Sequence, residues 1–526
     1  MGPYDVIVVG GGSAGAAATG RLSENPNRRV LLLEAGRDWR ASDAPAALRS
    51  ANIIPFMNDP AHQAEWQWPR LMTRRTRSQP PRFYWRGKAL GGSSSVNAQI
   101  AIRGAAAAFD SWAENGCEGW SAADVLPVFD AMEDDPGANR TGGPIPVYRA
   151  PLETWGPVDR ALREAALAAG YPWNPDLNAA DGEGVSCYPI NSRDGRRVST
   201  NDAYLEPARD RANLEIIGGA LVDRVLIENG RAVGVRVRLA QGGSEGGWTE
   251  IRAREILLCA GAIHSPAILM RSGIGPAGAL TALGIPVVRD IPAVGRHFMD
   301  HPFLRATINL RPEHISRNPD QRHTNCCVTY TSGLGGGGTR DMILIGFNHR
   351  LLGQNGLPSV QGAIGGGLFN AFSRGDVRLT SADPDIDPEV DENMLDDPRD
   401  RLRMRDVVRR LAVLTAHPAM GAIAETITFA ETNLSLDEAA ALPPDVLDAL
   451  MLEQAADGQH AAGTCRMTAY EDPRGVVDPD LAVKGITGLR VADAAIMPED
   501  CRANTHFTCV MIGLAAAARI AQAGAA

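Results

Sequence analysis

The stretch that most constrains this chain is its beginning. A β-branched run, Tyr4 to Val9, ends in Gly10-Gly11-Gly12-Ser13-Ala14-Gly15 and passes into the helix-favouring run Ala16 to Leu22. A second apolar run, Val30 to Leu33, stops at Glu34-Ala35-Gly36. Strand, turn, helix and strand thus fill about thirty residues, with an acid closing the second strand. In Gly10-x-Gly12-x-x-Gly15 the missing side chains permit a tight turn and let backbone N–H groups approach a pyrophosphate, whose charge the helix N-terminus favours. Ser13 lies in the same turn and is counted with it as cofactor-binding. Glu34 can accept hydrogen bonds from both hydroxyls of an adenosine ribose and would repel a 2′-phosphate. The unit therefore disfavours NADP and leaves NAD and FAD open.

Length and charge narrow the class further. With 526 residues the chain exceeds one minimal domain, so two or more domains are expected and a small disulfide scaffold is excluded. A net charge of −10 argues against nucleic acid and anionic membrane surfaces as partners. The basic cluster Arg74, Arg75, Arg77, Arg82 and Arg86 reads as a solvated loop. The Ala-rich tail from Thr508 to Ala526 is interrupted by Arg519, so no membrane span is expected. Eight scattered cysteines form no C-x-x-C pair, which signals neither a zinc site nor a redox dithiol. Reduced thiols and an N-terminus without a secretory pattern make a cytoplasmic location the expectation.

Beyond the first unit, Glu255 to Gly261 reads as another buried strand ending in a glycine turn, and Leu489 to Asp493 as a third near the C-terminus. One dinucleotide fold is thus dispersed along the chain, and segments of other character are inserted into it. The run Gly335 to Gly338 reads as a flexible loop.

Gly87-Lys88-Ala89-Leu90-Gly91-Gly92-Ser93-Ser94-Ser95-Val96-Asn97 is rich in small residues and hydroxyls, which suits a backbone passing against a flat, polar ligand. This stretch resembles, position by position, the first signature of the glucose–methanol–choline (GMC) oxidoreductases. Gly261 to Gly275, with His264 and Pro266, resembles the second. Further matches are Phe109-Asp110-x-Trp112, Val294-Gly295-x-His297-x-x-Asp300-His301-Pro302, Gly488 to Asp493, and Asn504-Thr505. The resemblance covers essentially the whole chain. It implies an α/β fold: a Rossmann-like FAD-binding domain with an α+β substrate domain built on an antiparallel sheet. The expected FAD-binding segments are 1–150, 205–300 and 455–526, with 151–204 and 301–454 forming the substrate domain.

The resemblance also implies the site. His460 and Asn504 match the family's catalytic pair, although His460, beside Ala461-Ala462-Gly463-Thr464, would otherwise read as a structural histidine. Oxidising a primary alcohol needs a base at the hydroxyl while the carbinol carbon faces flavin N5, and an imidazole suits that work near neutral pH. Asn504 can orient the same oxygen through its amide. Gly91, Ser94, Val96, Asn97 and Thr505 are expected around FAD, the Val222 backbone at its adenine, and Asp493 near the pyrophosphate or ribityl chain. Some relatives attach FAD through a histidine where this chain has Val96, so non-covalent FAD is expected. A helix is expected to start near Asn504 and run past Phe507. His506 is a side candidate for acid–base work, whereas His264, His297 and His301 are expected to be structural. No third His or Cys stands at metal-site spacing. The partners implied are a small alcohol and O2; oligomeric state is left open. Within the family the chain looks like bacterial members acting on small (hetero)aromatic primary alcohols, with pyridoxine as the favoured substrate. Alternatives are a 5-hydroxymethylfurfural or aryl-alcohol oxidase, a choline-type dehydrogenase, and an FAD-dependent lyase.

Overall fold

The strand Tyr4–Val9 forms the middle of a seven-stranded sheet, pairing in parallel with Val30–Leu33 on one side and Thr249–Leu258 on the other. Leu214–Ile217 and Leu489–Val491 extend the parallel set. This computed structural model describes residues 3–57, 59–179, 182–240, 247–316, 318, 321–349 and 360–523. Thr249–Leu258 belongs to two arrangements. Its last residues lie parallel to Tyr4–Val9, whereas Thr249 to Arg252 pair antiparallel with Arg231–Leu239, which in turn pairs with Ala220–Glu228. Val6 to Val9 and Val30 to Leu33 are buried throughout, as parallel strands covered on both faces must be.

A second seven-stranded sheet is antiparallel. Its order is Ala424–Phe429, Pro302–Leu310, Gln361–Leu368, Met342–Phe347, Cys326–Tyr330 and Gly184–Cys187, with Ala456–Asp457 also on Pro302–Leu310. Successive side chains alternate between two apolar clusters. Cys326, Val328, Met342 and Leu344 pack with the helices Pro157–Ala168 and Pro398–Thr415. Cys327, Ile343 and Ile345 point the other way, into the core shared with the parallel sheet. The architecture is thus a Rossmann-like domain joined to an α+β domain on an antiparallel sheet. The chain leaves the antiparallel sheet at Ala456–Asp457, just before His460.

The helix Thr505–Ala523 packs against the helix Ser13–Leu22 so closely that a Cβ on Gly513 would lie 2.2 Å from the Ala14 carbonyl oxygen. It is long and apolar enough to cross a membrane, yet most of it is buried inside the protein. Small residues on both helices make this approach possible, and it brings the two N-termini to one cavity.

Two expectations require correction. The Arg74–Arg86 cluster is not a solvated loop throughout: Arg75 is held by the buried Asp457, and Arg86 donates to the Gln459 carbonyl beside His460. Opposite charges and carbonyls brought in from distant sequence drew these side chains inward. Gly335 to Gly338 is packed only in part: Gly336 is exposed and open, but a Cβ on the buried Gly337 would lie 1.9 Å from Asp341 Oδ2, and one on Gly338 2.8 Å from the Arg502 guanidinium.

Candidate active site

A cavity of about 350 Å³ runs along the ends of the parallel strands, and its lining joins Gly10, Gly12, Glu34 and Val222 to His460, Asn504 and Thr505. Gly10 has a φ of 98°, and a Cβ on Gly15 would lie 1.9 Å from the Gly10 carbonyl oxygen. Only glycine at both positions closes this turn beneath the first helix. Glu34 Oε2 accepts from the Gly11 N–H and Oε1 from the Gly36 N–H, each at 2.8 Å. Burial pushes its carboxyl up while these two N–H groups hold it down. Each oxygen keeps a further lone pair for a ribose hydroxyl.

The first signature docks on this turn, with the Gly91 N–H donating to the Gly11 carbonyl at 2.8 Å. Ser94 turns away from the cavity. Its hydroxyl donates to the Gly91 carbonyl at 2.6 Å and accepts from the Thr200 N–H at 3.0 Å. Gly15, Gly91 and Ser94 therefore form the layer behind the lining, whereas Ser13, Val96, Asn97, Val222, Asp493 and Thr505 are in it. Asn97 Oδ1 accepts from Arg197 Nη1 at 2.8 Å and from the Gln99 N–H at 2.9 Å, which leaves its amide NH2 for the cavity. Asp493 Oδ2 accepts from the Gly261 N–H and the Ser265 hydroxyl, tying the second signature to the last parallel strand. A glycine turn at one helix N-terminus, a second helix N-terminus facing it, and a ribose-binding acid fit a dinucleotide such as FAD.

At the far side stands the His–Asn pair. The Tyr188 hydroxyl donates to Asn504 Oδ1 at 2.6 Å, so the amide nitrogen faces His460 and donates to Nε2 at 3.0 Å. His460 Nε2 is thus the unprotonated nitrogen, and the ring proton sits on Nδ1, 2.8 Å from His301 Nδ1. His301 accepts there and donates from Nε2 to Asp500 Oδ1 at 2.6 Å. One protonation pattern satisfies every link. Burial drives the His460 pKa well below its ordinary value, and His301, whenever it is protonated, and the Arg86 guanidinium lower it further. For His301, burial opposes the charged ring, but the Asp500 and Asp300 carboxylates outweigh it and raise the pKa. Asp300 also accepts from the backbone N–H groups of His301 and His460, at 2.6 and 2.8 Å, which fixes the two rings together.

His301, expected to be structural, is therefore in direct contact with His460. Its motif Asp300-His301-Pro302 was visible in sequence, but nothing there showed which ring it touches. Tyr188 and Asp500 carried no signal at all. Trp68, Trp85 and Arg86 also line the cavity. His506 lines it too, bonded through Nδ1 to Ser13 Oγ and not to the His460 network.

A dinucleotide cradle that leads to an unprotonated imidazole paired with an amide defines a flavin-dependent alcohol oxidoreductase. The comparisons agree. The two domain models of the GMC oxidoreductase family match residues 4–303 and 371–513, and the chain belongs to that family. It is 33% identical over 537 residues to the 5-(hydroxymethyl)furfural oxidase of Methylovorus sp. (strain MP688), with 97% of each chain covered. It is 35% identical over 554 residues to an oxygen-dependent choline dehydrogenase of Yersinia pestis, covering 98% of this chain and 93% of that one. The solved structure of pyridoxine 4-oxidase from Mesorbium loti superposes with a TM-score of 0.84 at 29% identity, covering 98% of both chains. The protein is an FAD-dependent oxidoreductase acting on alcohol groups.

Proposed function

We propose that this enzyme oxidises a small (hetero)aromatic primary alcohol to the aldehyde with O2 as electron acceptor, and that pyridoxine is its first candidate substrate, giving pyridoxal. The observation that carries the reading is the His460 Nε2 lone pair held 3.0 Å from the Asn504 amide at the cofactor cavity. Two relatives support the substrate class, one named for 5-(hydroxymethyl)furfural and one for pyridoxine. The cavity lining supports it against a quaternary cation such as choline. Among the described lining residues only Glu34 and Asp493 carry carboxylates, and both belong to the cofactor cradle.

In this mechanism the alcohol oxygen takes the place of the direct Asn504–His460 hydrogen bond, lying against both Asn504 Nδ2 and His460 Nε2. Asn504 donates to it and fixes its position, because Tyr188 holds the other end of the amide. His460 takes the hydroxyl proton at Nε2. The positive charge that appears on its ring is stabilised by the Nδ1–H bond to His301, whose far nitrogen is bonded to Asp500. FAD bound in the cradle of Gly10, Gly12 and Glu34 would supply the hydride acceptor and the redox chemistry with O2. Val96 offers no atom for a covalent link, so FAD is held non-covalently in this reading.

Anaerobic absorbance titration of the FAD-loaded enzyme with pyridoxine, 5-hydroxymethylfurfural, benzyl alcohol and choline, followed by air, tests this. Rapid bleaching by pyridoxine and recovery with peroxide is expected. Bleaching by another aromatic alcohol alone would replace the substrate, and preferred bleaching by choline would overturn the class. Bleaching without recovery in air would remove O2 as acceptor.

A further inference from the structure

The helix Thr505–Ala523 brings a second imidazole to the cavity that the reaction does not use. His506 is 7% exposed and lines the cavity with Gly12, Ser13 and Thr505. Its Nδ1 lies 2.9 Å from Ser13 Oγ, joining the first turns of the two helices whose N-termini meet there. Its Nε2 is buried without a hydrogen-bond partner among the described residues. A buried ring nitrogen in a native site is normally satisfied, so an orphan lining a ligand cavity points to the ligand. Among the described residues the ring has no carboxylate partner, and the charged group that acts on it is Arg197, which disfavours protonation as burial does. A neutral imidazole beside two sets of helix N–H groups is suited to an acceptor oxygen that already carries negative charge or a hydroxyl.

We propose that His506 is a cofactor-binding residue. The Ser13 hydroxyl donates to Nδ1, which places the remaining proton on Nε2, and that N–H donates to an oxygen of the FAD pyrophosphate–ribityl chain. Ser13 thereby acts through His506 as well as by its place in the glycine turn. The assignment rests on FAD binding and not on which alcohol is oxidised. It also separates His506 from acid–base chemistry, since no hydrogen bond connects it with His460, Asn504 or His301.

The test measures FAD release from the holoenzyme, read as flavin fluorescence after dilution, in wild type, His506→Ala, His506→Gln and Ser13→Ala. Release from His506→Ala is expected to be faster by about tenfold, the effect of one lost hydrogen bond. His506→Gln, which keeps a terminal N–H donor, is expected to recover most of the difference, and Ser13→Ala to shift release in the same direction by less. Flavin reduction by substrate is read separately on the fully loaded fraction, where its pH profile is expected to keep the wild-type shape because the base is His460. Unchanged release from His506→Ala would overturn the proposal. So would a changed pH profile of flavin reduction in fully loaded His506→Ala, which would make the residue an acid–base group. If His506→Ala does not fold, equal release from wild type and Ser13→Ala overturns it. Release is measured without any alcohol, so a failure of the substrate assignment leaves this result readable.

Discussion

At the residue scale the chemistry depends on which nitrogen of His460 is bare, and that is decided by four residues distant in sequence, Asn504, Tyr188, His301 and Asp500. His460→Ala is expected to slow flavin reduction by about a hundredfold or more with FAD retained. A near-normal rate in anaerobic stopped flow would remove it from the mechanism. Asp500 is a positioning residue: its carboxylate keeps the His301 proton on Nε2, so that His301 Nδ1 can accept from His460. Asp500→Asn is expected to lower the reduction rate by about tenfold to a hundredfold and to alter its pH profile. A lowered Tm with an unchanged profile would reduce Asp500 to a packing role. His460 and Asn504 were legible only because long motifs surround them. Tyr188 and Asp500 were not, because a lone tyrosine or aspartate has no pattern, and only folding brings either within 2.6 Å of its partner.

At the element scale the pairing of Ser13–Leu22 with Thr505–Ala523 positions both halves of the site, the cofactor turn and Asn504. The pairing tolerates no added volume, because a Cβ on Gly513 meets backbone and not a side chain that can swing away. Gly513→Ala is expected to cost about 1–3 kcal/mol and to loosen FAD, read as a lower urea midpoint and partial loss of flavin on gel filtration. An unchanged midpoint would mean that the helices part at no cost. The first β-α-β unit and the C-terminal helix were readable because their patterns are local. Gln361–Leu368 carries no strand pattern of its own, since glycine, at Gly362, Gly365, Gly366 and Gly367, is depleted in strands. Their reason is tertiary: a Cβ on Gly366 would lie 2.4 Å from Val407 Cγ1, and one on Gly367 2.7 Å from the Phe303 ring.

At the scale of the whole molecule several buried histidines link stability to pH. Burial lowers His297, His349 and His506 each to about 4 and drives His323 and His460 well below the ordinary value. Below pH 6.5 the unfolded chain binds protons at these sites that the folded one refuses. Their contribution is therefore present above pH 6.5 and lost as pH falls toward 4. Asp300 has the opposite sign: burial raises it to about 6, so its contribution is present below its ordinary value and lost as pH rises through 6. Glu34, Glu133, Asp159, Asp202, Glu392, Asp478 and Asp493 are raised by burial as Asp300 is, so the two sets of groups oppose each other. The histidine contribution is isolated by difference: the Tm of His349→Gln relative to wild type is expected to rise as pH falls from 7.5 to 5. A difference that does not change with pH would show that this ring is not held neutral.

The sequence by itself determined the dinucleotide cradle, the acid that closes its second strand, the dispersed order of the cofactor-domain strands, and the residues matching the family's catalytic pair. Each of these is written in neighbouring residues or in long ordered motifs. The tertiary structure alone decided that His301 and Asp500 set the His460 proton, that Tyr188 turns the Asn504 amide, that Arg75 and Arg86 are drawn inward, and that His506 joins Ser13. The physical reason is the same in each case. A hydrogen bond or a buried charge takes its meaning from the partner across the fold, and the spacing of residues along the chain does not carry that partner's identity.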